Sequence, residues 1–354
     1  MKKILALFVF VLFQLNTYAQ HTYTITGTVK NSKGEKIQSA TVFIAGSEKI
    51  TITDGQGYFK FNTIAAGTYQ LVVNMLGYAS AKQNVIVKDK SETVELTLGE
   101  KEILLGEVVI GDKSIREKHL KTFVKYFMGQ SDNAKYCKII NPELLEFSTA
   151  KSILKATTSD FLIIENSTLG YRIKYLLKLF QYDHSKDVTN YEGDCIFEQL
   201  NGTPQQQLTW QKNRKEAYEG SLMHYLRSLY AGTSRKEGFL VYKILSPFFP
   251  LVIESIPIVA EQIVKHPDST LMVFRYNKMR FYVLFDKKKA AKEDGRNMVS
   301  DITLENLDYT GSIFMTDAQI DRRGSYSDYK TLLIQGFWGR KRIADQLPLE
   351  YVPD

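Results

Sequence analysis

The sequence predicts a mostly β or α+β protein: an N-terminal antiparallel β-sandwich, then a larger strand-rich domain with two or three helices. Three observations carry this. The chain has 354 residues, 44% apolar and 24% charged, enough for two globular domains with their own cores. Aromatic residues reach 12%, mostly Tyr and Phe, which suit strands. Short alternating runs are separated by Asn, Gly and Asp turn signals through the first third of the chain.

Residues 1–19 have the pattern of a secretory signal. Lys2 and Lys3 precede an apolar run from Ile4 to Phe13, and Thr17 and Ala19 are the small residues before a cut, so Gln20 would begin the mature chain. A spanning helix needs about 20 apolar residues, and Gln14 and Asn16 interrupt this run. No transmembrane helix is expected after cleavage. The expected location is therefore the periplasm or the outer membrane. The formal net charge is +7. The excess is dispersed over residues 113–354, with its densest run at Lys287-Lys288-Lys289. That spread fits a solvated surface better than a polyanion site, and export argues against nucleic acid as a partner.

Residues 20–112 form the expected sandwich. Thr22 to Val29 alternates, and Asn31-Ser32-Lys33-Gly34 turns the chain. Ala40 to Ile44 and Ile50 to Ile52 follow. Asp54-Gly55-Gln56-Gly57 is the strongest turn signal, and its single acid makes it a structural turn rather than a calcium loop. Tyr58 to Phe61, Thr68 to Asn74, Val85 to Val87, Val94 to Leu98 and Ile103 to Ile110 complete the strand set. Phe59 and Phe61 should point inward, with Tyr58 and Lys60 outward.

This order carries a resemblance. Ile25-x-Gly27-x-Val29, Thr53-Asp54-Gly55-x-Gly57-x-Phe59-x-Phe61, Gly67-x-Tyr69-x-Leu71, Gly77-Tyr78 and Leu105-x-Glu107-Val108-Val109-Ile110 follow one another. The segment resembles the carboxypeptidase regulatory-like domain, a transthyretin-like sandwich common in exported proteins of Bacteroidetes. The resemblance implies a docking or spacer module.

Residues 113–354 begin with a capping box, Ser114-Ile115-Arg116-Glu117. Leu120, Phe123, Val124 and Phe127 then share a helical face that Gly129 ends. Tyr136 to Ile140, Leu144 to Phe147 and Phe161 to Ile164 are short strands. Tyr171 to Leu179 alternates as a long half-buried strand, with Tyr191 to Phe197 as its expected neighbour. Trp210 to Tyr218 is a helix, and Ser221 caps a second one with Leu222, Tyr225, Leu226 and Leu229 on its buried face. Residues 238–245, 270–276, 279–286 and 298–305 return to strand. The apolar end, with Phe337, Trp338, Ile343, Leu347, Leu349, Tyr351 and Val352, should dock on the domain. Three pieces resemble a Bacteroidetes group with this sandwich ahead of an uncharacterised envelope domain. They are Asn166-x-x-Leu169-Gly170-Tyr171, the run from Trp210 to Leu229, and Ala344-Asp345-x-Leu347-Pro348.

Catalytic chemistry finds little material here. A zinc carboxypeptidase needs His-x-x-Glu, but the residues three after each histidine are Thr24, Thr122, Asp187, Arg227 and Ser269. No Gly-x-Ser-x-Gly elbow or phosphate loop occurs. No catalytic residue, cofactor site or metal site is expected. Cys137 and Cys195, the only cysteines, have two readings: a disulfide formed after export, or two buried free thiols. A nucleophilic role for either, with His224 as base, has no local support. Asn213, Arg214, His224 and Arg227 are the densest polar set. They either line a site for an anionic ligand or satisfy the ends of a helical hairpin. Three functions follow. The first is a non-catalytic envelope protein that docks or binds another envelope protein. The second is a carbohydrate-binding protein using aromatics such as Trp210 and Trp338. The third is a hydrolase of unrecognised type. A TonB-dependent receptor would need a barrel of about 22 strands, more than residues 113–354 should supply.

Overall fold

The computed structural model describes residues 22–101, 113–246, 252–268, 271–275, 280–292, 311–316, 319–326 and 332–353. The leader, the strand expected at Ile103 to Ile110 and the run at 298–305 lie outside the described residues.

The sandwich has eight described strands: β1 (Tyr23–Asn31), β2 (Thr41–Ile44), β3 (Ile50–Ile52), β4 (Tyr58–Ile64), β5 (Gly67–Asn74), β6 (Tyr78–Ala79), β7 (Ala81–Val87) and β8 (Glu92–Glu100). They form two sheets, ordered β4-β1-β8-β6 and β3-β2-β5-β7. Ile25, Val29, Phe59, Phe61, Leu71, Val73, Leu96 and Leu98 fill the space between them. The inward placement of Phe59 and Phe61 follows the strand period, as expected. One pairing corrects the all-antiparallel expectation. β1 and β8 run parallel, Ile25 opposite Glu92 through Asn31 opposite Leu98. The chain alternates between the two sheets: it returns to the first as β4, antiparallel to β1, and as β6, before β8 enters beside β1 in the same direction, a crossover that local periodicity does not reveal. The Asp54 carboxylate accepts from the N–H groups of Gln56 (2.8 Å) and Tyr58 (2.9 Å). Its lone pairs serve the turn.

The second domain opens with α1 (Lys113–Met128), which buries Phe123, Phe127 and Met128. Ser114 lies within this helix rather than capping it. A six-stranded sheet follows: β9 (Cys137–Ile139), β10 (Leu145–Ala150), β11 (Ile153–Thr158), β12 (Leu162–Asn166), β13 (Tyr171–Asp183) and β14 (Val188–Gln199). β13 and β14 are the long antiparallel pair the alternation predicts, with a register shift between Leu177 and Leu179. Phe123 packs edge-on against Phe180 at 4.8 Å, so α1 covers one face of this sheet.

α2 (Pro204–Tyr218) and α3 (Leu222–Tyr230) form the expected hairpin. Thr203 and Gln206 make a capping box that starts α2 six residues ahead of Trp210. Beyond it come β15 (Phe239–Ser246), β16 (Val252–Ile253), β17 (Val264–Lys265), β18 (Leu271–Phe274), β19 (Phe281–Phe285), α4 (Lys287–Ala290), β20 (Gly311–Thr316), β21 (Ile320–Asp321), β22 (Leu332–Gly336) and α5 (Phe337–Arg340). They build a sheet ordered β16-β15-β19-β20-β22 and a small one ordered β17-β18-β21. The carboxyl-terminal segment docks as expected. Trp338, Ile343, Ala344 and Leu347 are buried, while Val352 stays exposed.

The sandwich is fused to the second domain along a buried seam. β2 splits its side chains: Val42 and Ile44 enter the sandwich core, and Phe43 points the other way. Phe43 and Val72 meet Leu176 and Ile196 of the long strand pair, and Phe161 closes on Phe43 at 5.6 Å. Backbone bonds stitch the same line. The Gly46 N–H donates to Cys195 O (2.7 Å), the Phe197 N–H to Ser47 O (2.9 Å) and the Leu349 N–H to Gly46 O (2.8 Å). Lys82 reaches the buried Asp194 carboxylate at 3.1 Å. At the far end, Asp321 accepts from the Thr68 N–H (3.0 Å), while Arg323 donates to Thr68 O and lies over the Tyr69 ring.

Candidate functional site

A cleft of about 730 Å³ opens along this seam. One wall is β3, at the end of its sheet. Ile50 and Ile52 project from it, 41% and 63% exposed. The ladder fixes where its backbone points. Ile44 N–H donates to Lys49 O and Thr53 N–H to Ala40 O, and Thr51 stands opposite Val42. Residues 49, 51 and 53 therefore face β2, and the N–H and C=O groups of Ile50 and Ile52 point away from β2, along the edge of the sheet. The opposite wall is Asn141, Leu144, Asp160, Phe161, Ile163 and Lys174. Asn141 imitates a strand partner there: its amide donates to Phe161 O (2.9 Å) and accepts from the Ile163 N–H (2.8 Å). Lys174 is ion-paired with Glu198. The lining is thus mainly apolar, and the edge of β3 borders it.

A smaller recess of about 230 Å³ lies nearby, bordered by Glu48, Tyr171, Gln211, Arg214, Glu350 and Tyr351 among others. The Glu48 N–H donates to the Glu350 carboxylate (3.2 Å), and Gln199 donates to the Glu48 carboxylate (3.1 Å). Burial raises the Glu350 carboxyl above the usual range.

The structure corrects the aromatic candidates. Trp210 is 8% exposed and Trp338 3%. The Trp210 indole donates to Ser167 O (2.9 Å), and its ring lies against Gly170 and Gly202. A Cβ at Gly170 would stand 2.2 Å from that ring, and Gly170 has φ +69°. The Trp338 indole donates to Gly220 O (2.8 Å) beside Tyr225. Neither ring offers a face to a sugar, because helix packing takes both.

The polar quartet is spent on the backbone. Asn213 donates to Thr168 O (2.9 Å), and Arg214 to Leu169 O (2.7 Å) and Gly170 O (3.2 Å). Arg227 donates to Arg323 O, Leu349 O and Tyr351 O. His224 Nδ1 accepts from the Gly220 N–H (3.0 Å), and Nε2 meets Glu237 at 2.8 Å. The four side chains therefore do not converge on a ligand; they hold a hairpin, a loop and the carboxyl-terminal strap.

Cys137 and Cys195 are free thiols, which overturns the disulfide alternative. Cys137 is opposite Asn166 on β12, and Cys195 is opposite Tyr175 on β13. β12 and β13 therefore separate their strands, and neighbouring strands stand about 4.8 Å apart. The spacing exceeds the roughly 7 Å Cα limit of a disulfide. Burial pushes both thiols up to about 12, so neither is a ready thiolate.

Residues 25–110 match the CarboxypepD_reg-like domain. The chain carries that domain at its amino-terminal end. A curated relative is the TonB-dependent receptor SusC of Bacteroides thetaiotaomicron, 31% identical over 100 residues. The match covers 27% of this chain and 10% of SusC, so the chain spans about a tenth of that relative's length. Among solved structures, 3-chlorocatechol 1,2-dioxygenase from Rhodococcus opacus 1CP is 13% identical with a TM-score of 0.21, covering 24% of this chain and 62% of that one. A type II cohesin–X-dockerin complex from Acetivibrio cellulolyticus is 23% identical with a TM-score of 0.21, covering 32% and 80%. Neither structural likeness informs the function. The CarboxypepD_reg-like domain and the SusC match agree with a Bacteroidetes envelope protein. No described helix is long and apolar enough to cross a membrane.

The seam cleft was missed in the sequence. Its signal was Ile50 and Ile52, two apolar residues in a strand too short to be covered on both sides.

Proposed function

We propose that this chain is a non-catalytic exported envelope protein whose CarboxypepD_reg-like domain and second domain form one docking unit. Its partner is an extended polypeptide strand laid along the seam cleft. The observation that carries this reading is the edge of β3, unpaired among the described residues, with two outward Ile residues facing an apolar wall. Strand addition takes affinity from backbone hydrogen bonds and selectivity from alternate side-chain pockets. The β3 edge supplies the first, and Leu144, Phe161 and Ile163 supply the second. The thiols held above their usual range support a non-catalytic role, as does the occupied polar quartet. The envelope assignment is supported by the leader pattern and the SusC match.

The test is a screen of displayed dodecapeptides, with amide shifts of Ile50 to Ile52 as the readout. Ile52→Pro removes one outward N–H that no ladder bond uses among the described residues, so the fold should survive while strand binding is lost. Ile52→Ala should retain part of it. Binding on a glycan array without any peptide binding would overturn the strand reading, and turnover of a hydrolase panel would overturn the non-catalytic one.

A further inference from the structure

His224 sits 6% exposed at the corner where α2 meets α3. Both its nitrogens are committed. Nδ1 faces the Gly220 N–H at 3.0 Å, and an N–H can only donate, so Nδ1 must keep its lone pair. Nε2 then carries the hydrogen and donates to Glu237 at 2.8 Å. The geometry demands one neutral tautomer. A second proton has only Nδ1 to occupy, where it would meet the Gly220 N–H donor to donor.

The corner is a hub. Gly220 O accepts from the Trp338 indole, and Ser221 caps α3 by accepting from the His224 N–H. Tyr218 stacks on His224 at 4.8 Å and touches Tyr351 at 5.7 Å. One turn along α3, Arg227 donates to Leu349 O and Tyr351 O of the strap, and to Arg323 O. The strap in turn bonds the sandwich, through Leu349 N–H to Gly46 O and Glu350 to the Glu48 N–H.

We propose that His224 is an acid-sensitive pin: protonation at Nδ1 breaks its bond to Gly220, loosens the first turn of α3, and frees the strap at 347–353 from the seam.

The charged neighbours set the balance. Glu237, in the turn before β15, favours the imidazolium, and Thr233 holds its other oxygen. Glu219 at the end of α2 acts in the same direction but is paired with Lys287 of α4 at 3.2 Å. Lys287 opposes the added charge. Phe239 and Phe285 supply an apolar wall at 4.8 and 5.7 Å. Burial outweighs the carboxylates, so the His224 pKa lies below its ordinary value of 6.5. The unpinned corner, with an ordinary imidazole, binds the proton more readily. The pinned state is therefore secure above pH 6.5 and weakens as pH falls from there toward the lowered pKa.

The experiment is hydrogen exchange on the full chain from pH 7.5 to 5, expressed as protection factors. Protection at Gly220, Leu349 and Tyr351 should fall together, by up to about tenfold per pH unit below 6.5, while Val29 and Leu71 in the sandwich core hold. His224→Asn keeps an acceptor at the Nδ1 position without a titrating ring, and its strap should be insensitive to pH. A flat wild-type profile, or an equal fall in His224→Asn, would overturn the proposal. If that variant does not fold, imidazole ¹⁵N shifts of the wild type decide. Protonation of Nδ1 that tracks the loss of strap protection sustains the pin, and protonation without that loss refutes it.

Discussion

Phe43→Ala is the sharpest probe of the fused seam. Phe43 is fully buried, but not in the core of its own domain. Its neighbours across the seam are Leu176, Ile196 and Phe161. Truncating a buried Phe costs about 3–5 kcal/mol through lost transfer energy and the cavity left behind. We expect the low end, about 3 kcal/mol, because the nearby cleft lets the site relax. One kcal/mol shifts the melting temperature by about 2–4 °C for domains of 150–250 residues. The shift should therefore be about 6–12 °C for the coupled transition. Scanning calorimetry should also show the endotherm separating into two, since the sandwich keeps its own core of Ile25, Phe59, Leu71 and Leu96. Ile196→Ala should lower the same transition, and the double variant should lose less than the sum because both line one cavity. A Phe43→Ala protein melting within about a degree of wild type would mean that the seam is open in solution. The cleft would then have no fixed walls.

Other consequences are simpler to read. Denatured, unreduced protein should show two reactive thiols per chain. The native thiols should alkylate slowly at pH 8, since burial holds both up to about 12; a denatured chain with no reactive thiol would contradict the strand separation. Gly170→Ala should lower stability by at least about 1 kcal/mol from its left-handed backbone alone, and more from the Trp210 contact, measured by chemical denaturation; a neutral result would refute the close approach. Deleting residues 335–354 removes Trp338, Ile343 and Leu347, each worth about 1.5–3 kcal/mol of burial. The melting temperature should drop sharply, and an unchanged curve would refute docking of the strap.

Much of the fold was legible where one face of a strand is buried. The alternation in Tyr171 to Leu179 gave the central strand, and the Asp54 turn fixed its neighbours. The short strand Ile153–Thr158 was not legible, because its mix of Lys, Ala and Thr carries little period. The start of α2 at Thr203-Pro204 carries a cap signal, but the polar run Gln205 to Gln207 lacks the apolar period that marks Trp210 to Tyr218. The site was harder. Strand-like surroundings placed both cysteines in strands of one domain, but strand order decides distance, and order is not local. Trp210 and Trp338 are aromatic wherever they sit. Only the packing reveals that they are covered: Gly170, forty residues before Trp210, and Gly202 lie on its ring, and Trp338 is buried with its indole bonded to Gly220 O.

The resemblance implied a docking or spacer module, and the seam supports the docking role we propose. A spacer holds two bodies apart and needs a polar outer surface near its neighbour. Here the outer face of the β3-β2-β5-β7 sheet carries Phe43 and Val72, both buried against the second domain. Three backbone hydrogen bonds run from the 46–47 turn to β14 and the strap. Such an interface fixes one orientation, because alternate placements would leave those N–H and C=O groups unpaired. A fixed orientation is what a cleft with two walls requires. A strand bound there would touch both domains at once and so bind the closed unit in preference to separated domains. Its binding should therefore raise the temperature at which the seam opens, in proportion to the logarithm of its concentration above the Kd. Phe43→Ala should weaken strand binding although Phe43 is not itself a lining residue, since it lowers the population of the closed unit that binds and removes the ring that packs on Phe161 of the cleft wall.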